Sequence, residues 1–245
     1  MDYSVNPYLG CGFGCRFCYA VFISRFAGRK PEEWGSFAYP KEGFIETLDR
    51  ELVRNGSRYR GKRILIGTVM DPYQPIESRY GLTRETLKVF RKYNPGAHLE
   101  ILTRSSLVLR DADLLRELNV RVGMSLSIIR REHFREVEPK SPPVEVRMET
   151  LSKLKEKGIR VYGFVAPVFP DAPDILEEVL GELKRRGIDA PLFELLSPGR
   201  NPALRNIPAY SRWVRLVRTP GTFDRFQMII RRYFPHSRII RHSWR

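Results

Sequence analysis

Cys11, Cys15 and Cys18 are the only cysteines in 245 residues, and they lie within eight positions at C-x3-C-x2-C spacing. Thiols scattered through a core act as small hydrophobes; three gathered on one short segment point to a shared ligand. The segment Tyr8 to Ala20 reads Y-L-G-C-G-F-G-C-R-F-C-Y-A and carries Gly10, Gly12 and Gly14. In a helix each glycine costs about 1 kcal/mol relative to alanine, so a loop that curls its thiolates around a metal is expected instead. An odd count leaves one thiol over in any disulfide scheme. Structural zinc takes four ligands in paired spacings, whereas one C-x2-C pair is present and His98, His133, His236 and His242 all lie far along the chain. Iron–sulfur clusters take thiolates from short, closely spaced runs. Three thiolates on a cubane leave one iron without a protein ligand, and an open coordination position signals chemistry rather than scaffolding.

With the aromatic Phe17 just before the third cysteine, this pattern resembles the signature of the radical S-adenosylmethionine (SAM) enzymes. Asn6 to Ala20, followed by G-T-V-M-D-P-Y-Q-P-I-E from Gly67 to Glu77, resembles the branch of that superfamily related to spore photoproduct lyase. The resemblance runs over Tyr3 to Ser197. It implies a partial barrel, a 4Fe-4S cluster on Cys11, Cys15 and Cys18, and SAM chelated to the open iron through its amino and carboxylate groups. It further implies reductive cleavage of SAM to methionine and a 5′-deoxyadenosyl radical that abstracts hydrogen from a substrate, with an electron donor such as a flavodoxin or ferredoxin.

Position by position, the resemblance implies that Phe17 and Tyr19 line the adenine and that Asp71 meets the methionine end of SAM. Arg104, in L-T-R-S, stands where the family commonly has lysine and would hold the SAM carboxylate, with the bidentate fork that lysine lacks. Ser125 and Ser127 match the strand that contacts the ribose. Tyr73, Gln74 and Glu77 are candidates on the substrate side, with turn geometry between Pro72 and Pro75 as the alternative. One departure matters. Spore photoproduct lyase returns a hydrogen atom from an additional cysteine beside the second-strand motif, where this chain has Val69 and Met70. The thymine-dimer activity therefore does not carry over. With no cysteines for a second cluster, sulfur insertion of the methylthiotransferase type is also disfavoured.

The elements that must position these residues alternate along the chain. Strands are expected at Tyr3–Leu9, Arg63–Met70, Leu99–Thr103, Val120–Ile128, Arg160–Val168 and Pro191–Leu196. Helices are expected at Lys41–Gly56, where Phe44, Leu48 and Leu52 recur every four residues, and at Thr83–Tyr93, Asp111–Leu118, Pro143–Lys157 and Asp174–Arg186. Near-continuous apolar strands between amphipathic helices indicate a parallel sheet. Six such units in about 200 residues predict an α/β fold, a partial (β/α)6 TIM-type barrel over residues 1–200 with the cluster loop at 10–20. An open doubly wound sheet would instead show a glycine-rich phosphate loop after the first strand. In parallel barrels the site lies at the carboxy ends of the strands, which collects Thr68, Asp71, Thr103 to Ser105, Ser125, Ser127 and Ser197 beside the cysteine loop.

Residues 201–245 form a basic extension with helices expected at Tyr210–Val217 and Phe223–Tyr233. It ends in R-R-Y-F-P-H-S-R-I-I-R-H-S-W-R, a mixture suited to phosphate contact and base stacking or to a final helix and strand whose basic residues face water. Lys and Arg number 43 against 28 acidic residues, a net charge of +15 with a pI near 10.0. Such a balance is the footprint of nucleic-acid binding. The favoured function is a radical SAM enzyme acting on a nucleic acid or nucleotide. One competitor is a radical SAM enzyme acting on a protein or small molecule; another is a non-catalytic metal-bearing nucleic-acid-binding protein. No run of about 18 apolar residues spans a membrane, and cysteines on an oxidisable cluster imply a reducing compartment, the cytoplasm.

Overall fold

The computed structural model describes residues 1–200 and 202–240. In chain order its elements are β1 (Tyr3–Val5), β2 (Tyr8–Gly10), β3 (Ala38–Pro40), α1 (Phe44–Asn55), β4 (Arg63–Ile66), α2 (Glu77–Tyr80), α3 (Leu82–Tyr93), β5 (His98–Thr103), α4 (Ala112–Glu117), β6 (Val120–Ser125), α5 (Arg131–Val137), α6 (Val144–Glu156), β7 (Arg160–Val168), α7 (Pro173–Arg185), β8 (Leu192–Leu195), α8 (Tyr210–Arg218), α9 (Thr222–Tyr233) and β9 (Arg238–Ile240). Seven strands form one sheet in the order β1-β4-β5-β6-β7-β8-β9, every neighbour parallel. The sheet curls into a half-barrel with helices outside it, the partial TIM-type α/β architecture expected.

The apolar strands bury one face under helices, while Leu65, Leu102, Phe164 and Leu195 on the other are half-buried. Ile64, Ile66, Leu99, Ile101, Val120, Val122 and Met124 are buried in the sheet, and Leu87, Phe90, Leu151, Leu154, Leu180 and Leu183 pack onto it from the helices in one cluster. A second cluster joins Phe169 and Leu196 at the strand ends to Leu204, Ile207 and Trp213 of the carboxy-terminal segment. Among the described residues no helix is long and apolar enough to cross a membrane.

Three details differ from the sequence expectation. The first strand is split: β1 joins the main sheet, Asn6 and Pro7 interrupt it, and β2 pairs antiparallel with β3 instead. Proline has a fixed φ and no N–H for a ladder, which ends the run. The second strand stops at Ile66, where Gly67 turns to φ 92. The sheet also has a seventh strand. β9 pairs with β8, Leu192 opposite Arg238 and Glu194 opposite Ile240, so the extension contributes to the sheet as well as helices. A final helix followed by a strand is the second of the two readings of this end of the chain, and α9 and β9 have that order. The remainder of the basic tail, 241–245, lies outside the described residues.

The cysteine loop is fastened by backbone contact. Gly14 (φ 65) and Gly35 (φ 97) meet face to face, and a Cβ on Gly35 would stand 2.4 Å from the Cα of Gly14. Gly28 has a similar φ of 64 but open space around it. We expect Gly35→Ala to destabilise the chain by roughly 1–3 kcal/mol or more, a strained backbone plus the overlap, and Gly28→Ala to cost less. Urea denaturation checks this; equal losses would contradict the close packing.

Candidate active site at the carboxy ends of the strands

A cavity of about 330 Å³ opens at the carboxy ends of the strands, and Cys11, Cys15 and Cys18 all line it. The loop that carries them leaves β2 and is held from several sides. Gln74 accepts from the Gly12 amide at 2.7 Å and donates to the Gly10 carbonyl at 3.2 Å. The Arg16 amide donates to the Val137 carbonyl at 2.9 Å, and the Cys18 amide to that of Cys15 at 3.1 Å. Burial pushes each of the three thiols up to about 12. A bound metal reverses that, because a coordinating thiol is deprotonated. Among the described residues, no three His, Cys, Asp or Glu side chains close around a point that could hold one ion. Three thiols on one glycine-rich loop, with no histidine or fourth cysteine among the cavity lining, are a donor set that suits an iron–sulfur cluster.

Phe17, Tyr19, Asp71, Arg104 and Ser125 line the same cavity, so the structure brings these together with the cysteines. Asp71 is fixed by Thr103 Oγ1 at 2.6 Å and by the amides of Arg104 at 2.8 Å and Tyr73 at 2.9 Å. Burial nevertheless raises its carboxyl above the ordinary range. Arg104 donates through Nη1 to Cys15 Sγ at 2.8 Å and to Glu138 Oε1 at 2.8 Å, with its guanidinium carbon 5.7 Å from the Phe17 ring centre. Burial opposes its charge, but Cys15, Glu138 and Asp71 together more than offset that and raise its pKa. Tyr19 donates to the Thr68 carbonyl. Asn6, on the neighbouring strand end, accepts from the Thr68 amide at 2.9 Å.

The other sequence candidates sit behind the wall. Ser127 is buried and donates to Glu138. Tyr73, Gln74 and Glu77 are fully buried and absent from the cavity lining. Gln74 splints the cysteine loop. Glu77 accepts from the Tyr8 hydroxyl and, at 2.9 Å, from the Thr83 amide, and it pairs with Arg110, tying β2 to the start of α3. Gln74 and Glu77 thus make tertiary contacts that fasten the cysteine loop and β2, and all three side chains lie off the cavity lining.

Glu138 and Arg147 are the residues that sequence reasoning missed. Both are fully buried and paired. Arg147 also donates to the carbonyls of Ser125 at 3.0 Å and Pro142 at 2.8 Å. A signal did exist: Arg147 stands three residues after Val144 and four before Leu151, on the apolar face of α6, where an unpaired cation would be costly. Glu138 lies in a loop with no motif. Burial pushes its carboxyl up, but Arg147 and Arg104, with hydrogen bonds from Arg147 and Ser127, outweigh that and hold it below its usual value. A depressed carboxyl stabilises the fold above its ordinary titration range and loses that contribution as pH falls through the folded value. Glu138→Gln should therefore cost about 3 kcal/mol or more at neutral pH, because it leaves two buried cations short of a counter-charge. The gap to wild type should narrow in acid. Urea melts at both pH values check this; a gap that does not change with pH would contradict it.

The comparisons agree with this geometry. The family model described as Radical SAM superfamily matches residues 5–183. An uncharacterized protein of Methanocaldococcus jannaschii is 37% identical over 183 residues, 74% of this chain and 66% of its own length. One from Acidianus two-tailed virus is 32% identical over 209 residues, 79% of this chain and 67% of its own. One from Mycobacterium tuberculosis is 30% identical over 193 residues, 76% and 56%. The chain thus spans 56% to 67% of the length of these curated relatives. Among solved structures, a spore photoproduct lyase mutant with bound AdoMet and dinucleoside spore photoproduct superposes with a TM-score of 0.65 at 17% identity, covering 96% of this chain and 75% of that one. Streptococcus suis SuiB bound to its precursor peptide SuiA gives 0.57 at 14% identity, covering 87% and 45%. At such identities the likeness to these two is one of fold. The family match over most of the chain, together with three thiols at the carboxy ends of a parallel half-barrel, establishes that this chain belongs to the radical SAM superfamily.

Proposed function

We propose that the chain is a radical SAM enzyme that binds a 4Fe-4S cluster through Cys11, Cys15 and Cys18, cleaves SAM reductively, and acts on a nucleic acid or nucleotide. The observation that carries this reading is that the chain's three cysteines line one cavity together with residues at the carboxy ends of the strands. A 4Fe-4S cluster held by Cys11, Cys15 and Cys18 would supply one-electron reduction of the SAM sulfonium, splitting its carbon–sulfur bond into methionine and an adenosyl-centred radical able to take a hydrogen atom from a substrate.

The chain's own residues bind, orient and exclude water. Phe17 and Tyr19 offer ring faces for the adenine. Ser125 offers a hydroxyl to the ribose, and Ser127 acts through Glu138. Asp71, already oriented by three donors, stands ready for the methionine end of SAM. Arg104 offers a cation for the carboxylate while Glu138 and Cys15 hold it in place. Leu65, Val69, Met70, Leu102, Phe164 and Leu195 supply apolar wall. A dry cavity protects a reactive intermediate from side reactions.

A nucleic acid or nucleotide as substrate is supported by the net charge of +15 and by the dinucleoside bound in the spore photoproduct lyase structure. A peptide is the second reading, supported by the precursor peptide on SuiB. Val69 and Met70 line the cavity where a hydrogen-returning cysteine would be needed for spore photoproduct repair, so the product chemistry differs from that enzyme's. The reading includes a flavodoxin or ferredoxin as electron donor and a reducing, cytoplasmic setting. Its test is anaerobic reconstitution with iron and sulfide, reduction, addition of SAM, and chromatography for 5′-deoxyadenosine. Wild type should form it and Cys15→Ala should fall to background. Zinc without iron, or a loaded cluster that leaves SAM intact, would contradict the reading.

A further inference from the structure

Among the described residues five aromatic side chains are exposed, and four of them, Tyr19, Phe22, Phe26 and Tyr39, belong to the segment that follows the third cysteine and the hairpin strand beside it. Their exposures are 49%, 45%, 61% and 39%. Tyr19–Ala27 is a 3-10 helix that buries Ala20, Val21, Ile23 and Ser24. In that geometry residues three apart eclipse, spaced about 6 Å along the axis. Tyr19, Phe22 and Arg25 therefore follow one another along one outer edge, with Phe26 beside Arg25. The Arg25 guanidinium carbon lies 4.7 Å from the Phe26 ring centre and 5.8 Å from that of Phe22. Arg29 continues the row, pairs with Glu33 at 3.1 Å and donates to the Tyr39 hydroxyl at 2.9 Å, so among the described residues Arg25 is the row's cation without an acidic partner. At its inner end the row reaches the cavity, which Tyr19 and Trp34 line.

Rings interleaved with guanidinium groups meet the two needs of one kind of ligand. A base has a π-face to stack on an exposed ring or on an arginine, and a phosphate has a charge for the cation between. A purely apolar partner would be penalised by the arginines, and an acidic peptide would leave the rings uncovered. Chemistry on a base also requires a nucleotide out of the duplex stack. We infer that the Tyr19–Phe22–Arg25–Phe26 row, with Arg29 and Tyr39, is a stacking platform for a single-stranded nucleic acid that delivers one nucleotide to the cavity mouth. The inference rests on the nucleic-acid reading above and places the contact beside the cluster loop, not in the carboxy-terminal tail.

The test is fluorescence anisotropy with short fluorescein-labelled DNA and RNA single strands and duplex DNA, using the full chain. Phe22→Ala and Phe26→Ala should each weaken single-strand binding about tenfold or more. Phe26→Tyr should restore it, and Arg25→Gln should lower the salt slope by about 1. Met228→Ala, which removes a 65% exposed side chain on α9, should bind as wild type, and thermal melts confirm that each variant is folded. Wild-type binding that no ring variant changes would overturn the platform and leave a nucleic-acid substrate standing. No binding of any strand by wild type at low salt would overturn both, with SAM cleavage still judged by its own assay. Ring-dependent binding to anionic vesicles or acidic peptides, without nucleic acid, would reassign the surface and overturn the platform as well.

Discussion

One buried carboxylate holds the site together. Glu138 sits between Arg147, which projects from α6, and Arg104, which follows β5. Through Arg147 it reaches the carbonyl that ends β6, and through Arg104 it reaches the thiol of Cys15. A charge buried in this way is tolerated only when its partners are close and the remaining donors are satisfied. The ends of two strands, one helix and the cysteine loop are therefore fixed relative to one another by a single requirement of charge balance. Arg104 has a second consequence. If Cys15 ligates a cluster as proposed, a guanidinium against its sulfur would favour the cluster's more negative state, because hydrogen bonds to the sulfurs are among the things that set its potential.

Packing extends the same logic outward. Gly14 and Gly35 let two backbones touch, which brings Trp34 to the cavity wall. On the far side Phe17 packs edge-on against Phe169, with ring centres 6.4 Å apart. Phe169 in turn packs against Trp213 of α8 at 4.7 Å, and the Trp213 indole donates to Asp171 at 2.9 Å. The carboxy-terminal helices thus brace the aromatic residue that precedes the third cysteine. What remains open is a largely apolar cavity with a few oriented polar groups, which is the usual character of a small-molecule site.

Much of this was legible in the chain. The alternation of apolar strands with amphipathic helices implied the parallel half-barrel, and the glycine-spaced cysteines implied the loop and its place at the strand ends. Asp71, Arg104 and Ser125 follow from the family resemblance together with their places at or just beyond strand ends: Asp71 lies five residues past β4, Arg104 directly follows β5 and Ser125 closes β6. Other features depend on contacts that no local pattern announces. Glu138 is in an irregular loop, and its role exists only because α6 delivers Arg147 from nine residues further along. Tyr73, Gln74 and Glu77 have the chemistry of substrate contacts, but all three are buried, Tyr73 and Gln74 between Pro72 and Pro75 and Glu77 at the start of α2. β9 needed β8 as a neighbour before three residues could become a strand. The exposed rings after Cys18 carry no α-helical period, because they lie on a 3-10 helix of nine residues.

The central claim is that the three thiols hold a cluster with one iron left for SAM. Electron paramagnetic resonance with nuclear double resonance, on the anaerobically reconstituted and reduced chain with isotope-labelled SAM, tests it most directly. The account predicts iron and sulfide in the ratio of a 4Fe-4S cluster and a hyperfine coupling from the labelled amino nitrogen or carboxylate oxygen of SAM to it. A chain that takes up only zinc, or a reduced cluster whose spectrum is indifferent to labelled SAM, would contradict it.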